Sequence, residues 1–155
     1  MIANRVRMSK SSYKEYLYNR GVENVPLILE TTFWNSVLEK RSDHIYIKAP
    51  KGVGVSSRQV ISSAELIDFS KYKGIGMEIS GTMNPSATVR FGNSYSPTGV
   101  NLSNIYDMNQ SHLNIGTVEH RFTSSVNYYF KFYSRTYYTA ADTELQIYSI
   151  YLITK

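Results

Sequence analysis

The chain has 155 residues, a formal net charge of +5 and no cysteine, which suits one domain with a single core and excludes a disulfide framework or a thiolate metal site. No run approaches the roughly 18 apolar residues of a membrane span, and Met1 to Ser12 lack the apolar block of a signal peptide, so neither membrane insertion nor an export signal is expected. Arg5, Arg7, Lys10 and Lys14 supply most of the charge excess near the amino end; the rest of the chain mixes both signs without a dense run, so no nucleic-acid partner is expected.

Residues 1–12 are polar and aperiodic and are read as a tether, with the packed domain over 13–155. The composition of that domain is its first signal: 14 tyrosines, six phenylalanines and one tryptophan in a chain only 19% charged suit pleated, half-buried surfaces. Ile45, Ile47 and Ala49 alternate with His44, Tyr46 and Lys48, which predicts a strand. Pro50-Lys51-Gly52 breaks it, and Val53, Val55 and Ser57 restart an extended run. Ser63 to Leu66 offers the only short helical turn.

Ile75, Met77 and Ile79 alternate with Gly74, Gly76, Glu78 and Ser80, predicting a strand over Lys73 to Gly81. A turn at Asn84-Pro85 leads to Ala87, Val89 and Phe91, opposed in parity to Thr88 and Arg90, and the two runs are expected to form a hairpin. Residues 93–111, rich in Asn, Ser, Pro and Gly, read as a long loop of the kind that often carries function. Three further strands are expected: Leu113 to Phe122, Val126 to Tyr133, and Glu144 to Ile153. In the last, Leu145 and Ile147 share one parity, Ile150 and Leu152 the other. Either a bulge near Tyr148 or Ser149 or coverage of both faces would account for that change. Many short strands at this spacing predict an all-β sandwich or barrel.

Catalytic chemistry finds no foothold in the pattern. The 12 acidic residues are scattered, whereas glycosidic hydrolysis needs two carboxylates facing each other across the substrate; Glu78 and Glu119 fall in strands and read as solvated face residues. His44, His112 and His120 share no ligand spacing, so no metal is expected. The serine pairs at 56–57, 62–63 and 124–125 lack a nucleophile elbow. No cofactor is expected, and the chain reads as a binding protein with no enzymatic activity.

Sugar binding asks for an aromatic face beside planar polar groups. That combination selects Arg90, Asn93, Tyr95, Asn101, Tyr106 and Asp107 around the long loop, with Tyr137 and Tyr138 in a turn before Asp142, as candidate ligand-binding residues.

The opening Tyr16-Leu17-Tyr18-Asn19-Arg20-Gly21-Val22-Glu23, with Phe33-Trp34 some ten residues on, resembles a module of tail and minor structural proteins of phages and prophages of Gram-positive bacteria. Leu66-Ile67-Asp68-Phe69-Ser70-Lys71-Tyr72-Lys73-Gly74-Ile75 resembles the lead-in to a central strand in the same modules and in carbohydrate-binding jelly rolls. Ile147-Tyr148-Ser149-Ile150-Tyr151-Leu152 resembles their closing strand. Thr31-Thr32 stand where that family has paired glycines, and no cysteine follows Glu23.

The resemblance implies an antiparallel two-sheet sandwich of jelly-roll type, with Trp34 anchoring the first turn. It also implies a non-catalytic, virion-associated receptor-binding module, often trimeric, that meets other tail proteins and a cell-surface polysaccharide of a bacterial host. A structural tail or baseplate domain, with tyrosines including Tyr106, Tyr137 and Tyr138 in subunit contacts, is the alternative. A fragment of a cell-wall glycan hydrolase is a third reading, which requires two opposed carboxylates.

Overall fold

A computed structural model of the chain describes residues 13–32, 36–51, 57–136 and 141–155. The fold starts on a local signal. Strands β1 (Lys14–Asn19) and β2 (Val22–Glu23) are joined through Arg20 and Gly21, whose φ angles of 45° and 92° are both positive. Positive φ at both central residues suits a two-residue hairpin loop to the right-handed twist of its strands. A Cβ on Gly21 would lie 2.2 Å from the Ser42 carbonyl oxygen, so glycine serves both the turn and the close approach of the neighbouring chain.

Eleven further strands follow: β3 (Leu27–Thr31), β4 (Val37–Lys40), β5 (Ile45–Ala49), β6 (Ser57–Ser63), β7 (Ile67–Asp68), β8 (Tyr72–Thr82), β9 (Thr88–Ser94), β10 (Ser103–Met108), β11 (Thr117–Arg121), β12 (Asn127–Thr136) and β13 (Thr143–Thr154). A single α-helix among the described residues, α1 (Gln110–Ile115), precedes β11. The strands form two sheets, antiparallel throughout. One runs β11-β8-β13-β1-β2, with β5 and β4 on the β1 side of β13; the other runs β10-β9-β12-β6-β3, with β7 beside the start of β12. The chain is thus an all-β, antiparallel two-sheet sandwich, as its periodicity and the jelly-roll resemblance predict.

The core lies between the sheets. Phe91, Phe130, Phe132 and Ile61 project from the six-stranded sheet, and Ile45, Ile75, Met77, Leu145 and Ile150 from the seven-stranded one; all are fully buried. Truncating one such phenylalanine to alanine costs about 3–5 kcal/mol. β13 is hydrogen-bonded to β8 along one side and to β5 and then β1 along the other. Its register slips between Ile147 and Ser149, the bulge expected there, and both of its faces are covered from Ser149 to Ile153.

Four expectations from the sequence are corrected. The runs around Met77 in β8 and Phe91 in β9 make no hairpin, since β8 belongs to one sheet and β9 to the other. The Asn84-Pro85 turn carries the chain across the sandwich, pinned where the Asn84 N–H donates to Thr143 Oγ1 at 3.0 Å. Residues 93–111 are not one loop, because β9 runs to Ser94 and β10 pairs with it. A register irregularity between Ser103 and Tyr106, with Asn104 at φ 51°, hides the strand period. The strand expected from Leu113 begins at Thr117, after α1. Asn109 Oδ1 accepts from the Ser111 and His112 N–H groups, His112 Nδ1 accepts from the Asn109 N–H, and Gly116 closes the helix at φ 91°, a reciprocal cap followed by a glycine stop. No helix forms at Ser63 to Leu66, where β6 ends and the chain bends. The restart at Val53 and Val55 lies outside the described residues, and β6 begins at Ser57.

His120 joins the two sheets at one edge. Its ring packs against Phe91, Tyr106 and Phe122 and hydrogen-bonds to the Asn104 backbone. Burial outweighs that bond and holds the imidazole below its ordinary value of 6.5. The unfolded chain therefore binds this proton more readily than the folded one. Stability from neutral His120 is complete above about pH 6.5 and is lost as pH falls toward the lowered folded value. Thermal melts should show this acid-side loss, and His120→Phe should reduce it.

Candidate functional site

Pairing with β9 and β6 divides β12 into two faces. Phe130, Phe132 and Ser134 turn inward, while Tyr129, Lys131, Tyr133 and Arg135 lie on the outer parity. Following that outer parity across the sheet gives an unbroken row. Asp107 of β10 lies opposite Arg90 of β9, Arg90 opposite Tyr133 of β12, Tyr133 opposite Val60 of β6, and Val60 opposite Glu30 of β3. Four inter-strand gaps of about 4.8 Å put its ends roughly 19 Å apart. Tyr133 and Val60 are buried but belong to no part of the inter-sheet core, so the middle of the row is apolar and its ends are polar.

The loop between β9 and β10 folds onto this face. Lys131 is fully buried, and its Nζ donates to the carbonyl oxygens of Thr98 and Gly99, each at 2.9 Å. Burial lowers the Lys131 pKa, and the field of Glu30 partly restores it. Two charge-assisted bonds to backbone carbonyls offset the desolvation of a single ammonium. Farther along, Asn101 Nδ2 donates to Tyr95 Oη at 2.7 Å, with Tyr95 67% exposed.

Between the strapped loop and the sheet edge lies a cleft of about 180 Å³ lined by Glu30, Thr31, Thr32, Arg58, Val60, Gly99 and Val100. Its wall at Thr32 and Arg58 is fixed by reciprocal bonding: the Thr32 N–H donates to the Arg58 carbonyl at 2.9 Å, and the Arg58 N–H donates to Thr32 Oγ1 at 3.0 Å.

Of the residues selected from the sequence, the structure brings two pairs together. Arg90 Nε lies 2.8 Å from Asp107 Oδ1, and Tyr95 and Asn101 share the bond just described. Asn93 is placed differently: it points to the sandwich interior, fully buried, where Asn104 Nδ2 donates to its Oδ1 at 3.1 Å. Tyr106 also turns inward, packing on Phe91 and facing His112 Nε2 through its hydroxyl at 3.1 Å. Tyr137, Tyr138 and Trp34 lie outside the described residues. Sequence reading misses Glu30, Arg58, Tyr129, Lys131 and Tyr133. The alternation of Tyr129, Lys131 and Tyr133 against Phe130 and Phe132 is the signal that could have found the last three.

The outer face of the seven-stranded sheet is built differently. Tyr151 lies across Gly76, where a Cβ would sit 2.3 Å from its ring, and its hydroxyl donates to Glu119 Oε2 at 2.7 Å. Tyr13 donates to the same oxygen at 3.0 Å, and Arg121 stands 3.5 Å from Oε1. Burial pushes the Glu119 carboxyl up, but the bonds from Tyr151, Tyr13 and Arg121 outweigh it and hold the group below its ordinary value. Glu78 accepts from Ser149 Oγ at 2.9 Å and pairs with Arg20 at 3.4 Å. Glu144 accepts from Tyr46, whose phenol is pushed up to about 12 by burial and by that carboxylate. Glu119, held ionised by its three partners, is a poor general acid. Among the described residues no group of three or more His, Asp or Glu side chains is arranged to hold a metal.

No family model and no curated protein matches the sequence. Solved structures do match. A low-affinity xylan-binding module from Roseburia intestinalis superposes with a TM-score of 0.55 at 9% identity, over 84% of this chain and 95% of that one. The glycoside hydrolase domain structure of Endo-D from Streptococcus pneumoniae R6 gives 0.57 at 9% identity, over 82% of this chain but 21% of that one. The likeness is one of fold.

Replacing Lys131 by methionine keeps the aliphatic stem and strips the Thr98 and Gly99 carbonyls of their donor. We expect a loss of about 1–3 kcal/mol for buried groups left unpaired, with faster amide exchange confined to the 95–102 loop.

Proposed function

We propose that this domain binds a glycan without cleaving it, along the outer row from Asp107 through Tyr133 to Glu30. The observation that carries this reading is the row itself: an apolar middle at Tyr133 and Val60 flanked by Arg90 with Asp107 and by Arg58 with Glu30, opening into the cleft under the strapped loop. Guanidinium and carboxylate groups are planar and suit paired hydroxyls, while the apolar middle suits the apolar side of a sugar ring. The fold shared with a xylan-binding module supports the same reading. The engaged state of Glu119 and Glu78 favours binding over hydrolysis.

The cleft is smaller than the roughly 300 Å³ at which ligand pockets commonly begin, so single-site affinity is expected in the millimolar range, about −4 kcal/mol. Joining several copies raises apparent affinity by roughly 10² to 10⁴. The blocks at Tyr16 to Glu23, Leu66 to Ile75 and Ile147 to Leu152 support a specific setting for this. In it the domain is an oligomeric receptor-binding module of a phage or prophage tail, and the glycan is a cell-surface polysaccharide of the bacterial host.

Pull-down with bacterial cell walls tests the binding site. Wild-type protein should be retained, and Tyr133→Ala and Arg90→Ala should each weaken retention about tenfold or more, the value of one well-placed contact. Arg41→Ala, on the other sheet, should leave it unchanged. Retention insensitive to both row variants would remove this site, and absence of binding to every wall preparation would remove the glycan. Induction of the parent prophage with purification of the particles tests the setting: the chain should co-purify with tails, and its absence from them would rule the role out.

A further inference from the structure

The cleft at the Glu30 end of the row has room for a side group of a glycan and not for the chain itself, since about 180 Å³ falls below the size of an ordinary ligand pocket. Its lining decides what that side group is. The two threonine hydroxyls are engaged locally: Thr32 Oγ1 accepts from the Arg58 N–H at 3.0 Å, and Thr31 Oγ1 donates to the Thr32 carbonyl at 3.5 Å. The Arg58 guanidinium and the Glu30 carboxylate are not engaged in this way. No described residue gives either of them a side-chain hydrogen bond or an ion pair, and Glu30 acts on Lys131 through its field. Arg135, opposite Arg58 on β12, has an interaction of its own and is not part of the cleft lining. Val60 and Val100 add apolar lining, and Val100 is 40% exposed.

Glu30 and Arg58 stand on neighbouring strands without facing each other. Glu30 pairs with Val60, two residues along β6 from Arg58, and such diagonal neighbours are about 7–8 Å apart. The cleft therefore offers three things at once: a carboxylate that accepts, a guanidinium that donates, and apolar surface beside them. Its two charges are of opposite sign, so a neutral group suits it. A secondary amide is planar and trans, with its carbonyl oxygen and its N–H pointing in opposite directions. In an acetamido group the oxygen accepts from the guanidinium, the N–H donates to the carboxylate, and the methyl takes the apolar lining. A hydroxyl leaves that lining unused, an ammonium meets the guanidinium, and a carboxylate meets Glu30.

We infer that the cleft receives the acetamido group of an N-acetylated amino sugar in the bound glycan. This rests on the glycan-binding reading and narrows it to a substrate class.

The test is an array of oligosaccharides in matched trios, identical except that one ring position carries an acetamido, a hydroxyl or an amino group, on several backbones and at up to about 10 mM, the weak end of measurable affinity. On at least one backbone the acetamido form should bind roughly tenfold or more tightly than the hydroxyl form, because a site built to pair polar groups rejects a ligand that leaves them unpaired. The ligand is neutral, so the advantage should be the same at about 0.05 M and about 0.5 M salt. Saturation-transfer NMR should give its strongest signal at the acetamido methyl. Glu30→Ala and Arg58→Ala should each erase most of the preference. Val100→Trp fills the cleft without changing a charge, and it should remove the preference while leaving the melting temperature and the hydroxyl form's binding unchanged. Equal binding of acetamido and hydroxyl forms, tightest binding by a salt-sensitive amine, or a preference that survives Val100→Trp overturns the inference and leaves the glycan site standing. Binding to none of the trios by a protein that cell walls still retain does the same; loss of both removes the site itself.

Discussion

The register of β12 is the constraint on which both the interior and the outer face depend. Its ladder to β9 sets Phe132 opposite Phe91, and its ladder to β6 sets Phe132 opposite Ile61, so the inward parity is specified by three large apolar groups meeting at one level. With those fixed, the intervening residues have nowhere to go but outward, and Tyr129, Lys131, Tyr133 and Arg135 are delivered to one surface. A slip of one residue would exchange the two sets, placing a lysine and an arginine inside the sandwich. The penalty for that exchange is a Lys131 ammonium cut off from the Thr98 and Gly99 carbonyls and an Arg135 guanidinium moved into apolar surroundings, so the hydrophobic interior enforces the geometry of the polar face opposite it.

The two outer faces divide their labour. On the seven-stranded sheet, Glu119, Glu78 and Glu144 each accept from a neighbouring hydroxyl, and Arg41 lies 3.8 Å over the Tyr46 ring. Hydrogen-bonding capacity there is turned on the face's own members. On the six-stranded sheet the wide lateral row leaves Arg58 and Glu30 beside a hollow, and the loop above is held by backbone oxygens. A surface whose polar groups are already satisfied has little to offer a ligand, since binding must first break those bonds; one with accessible polar groups next to apolar ground has much more.

The strands with two clean parities are legible in the sequence. Ile45 to Ala49, Lys73 to Gly81 and Glu144 to Ile153 each bury alternate residues against the core, and even the bulge in β13 shows through the switch from Leu145 and Ile147 to Ile150 and Leu152. Other elements hide for identifiable reasons. β10 is an edge strand with an irregular register, so Ser103 to Met108 carry too many polar residues to show a period. α1 is too short for a helical stripe, and its signal lies in Asn109, His112 and Gly116, the capping positions. The separation of β8 from β9 is invisible locally, because adjacency along the chain does not say whether a turn closes a ladder or crosses between layers. For the site, loop composition finds Arg90 with Asp107 and Tyr95 with Asn101. Tyr133, Arg58 and Glu30 come from three separate strands and meet only through pairing, which no local window contains.

The attachment of the β9–β10 loop by Lys131 has an evolutionary consequence. Its acceptors are main-chain oxygens, which every amino acid supplies, so the tie is indifferent to which side chains the loop displays. Positions such as Tyr95, Val100 and Asn101 are therefore free to drift without loosening the scaffold, and the surface that the loop displays can be altered by point changes in a segment whose path is held from below.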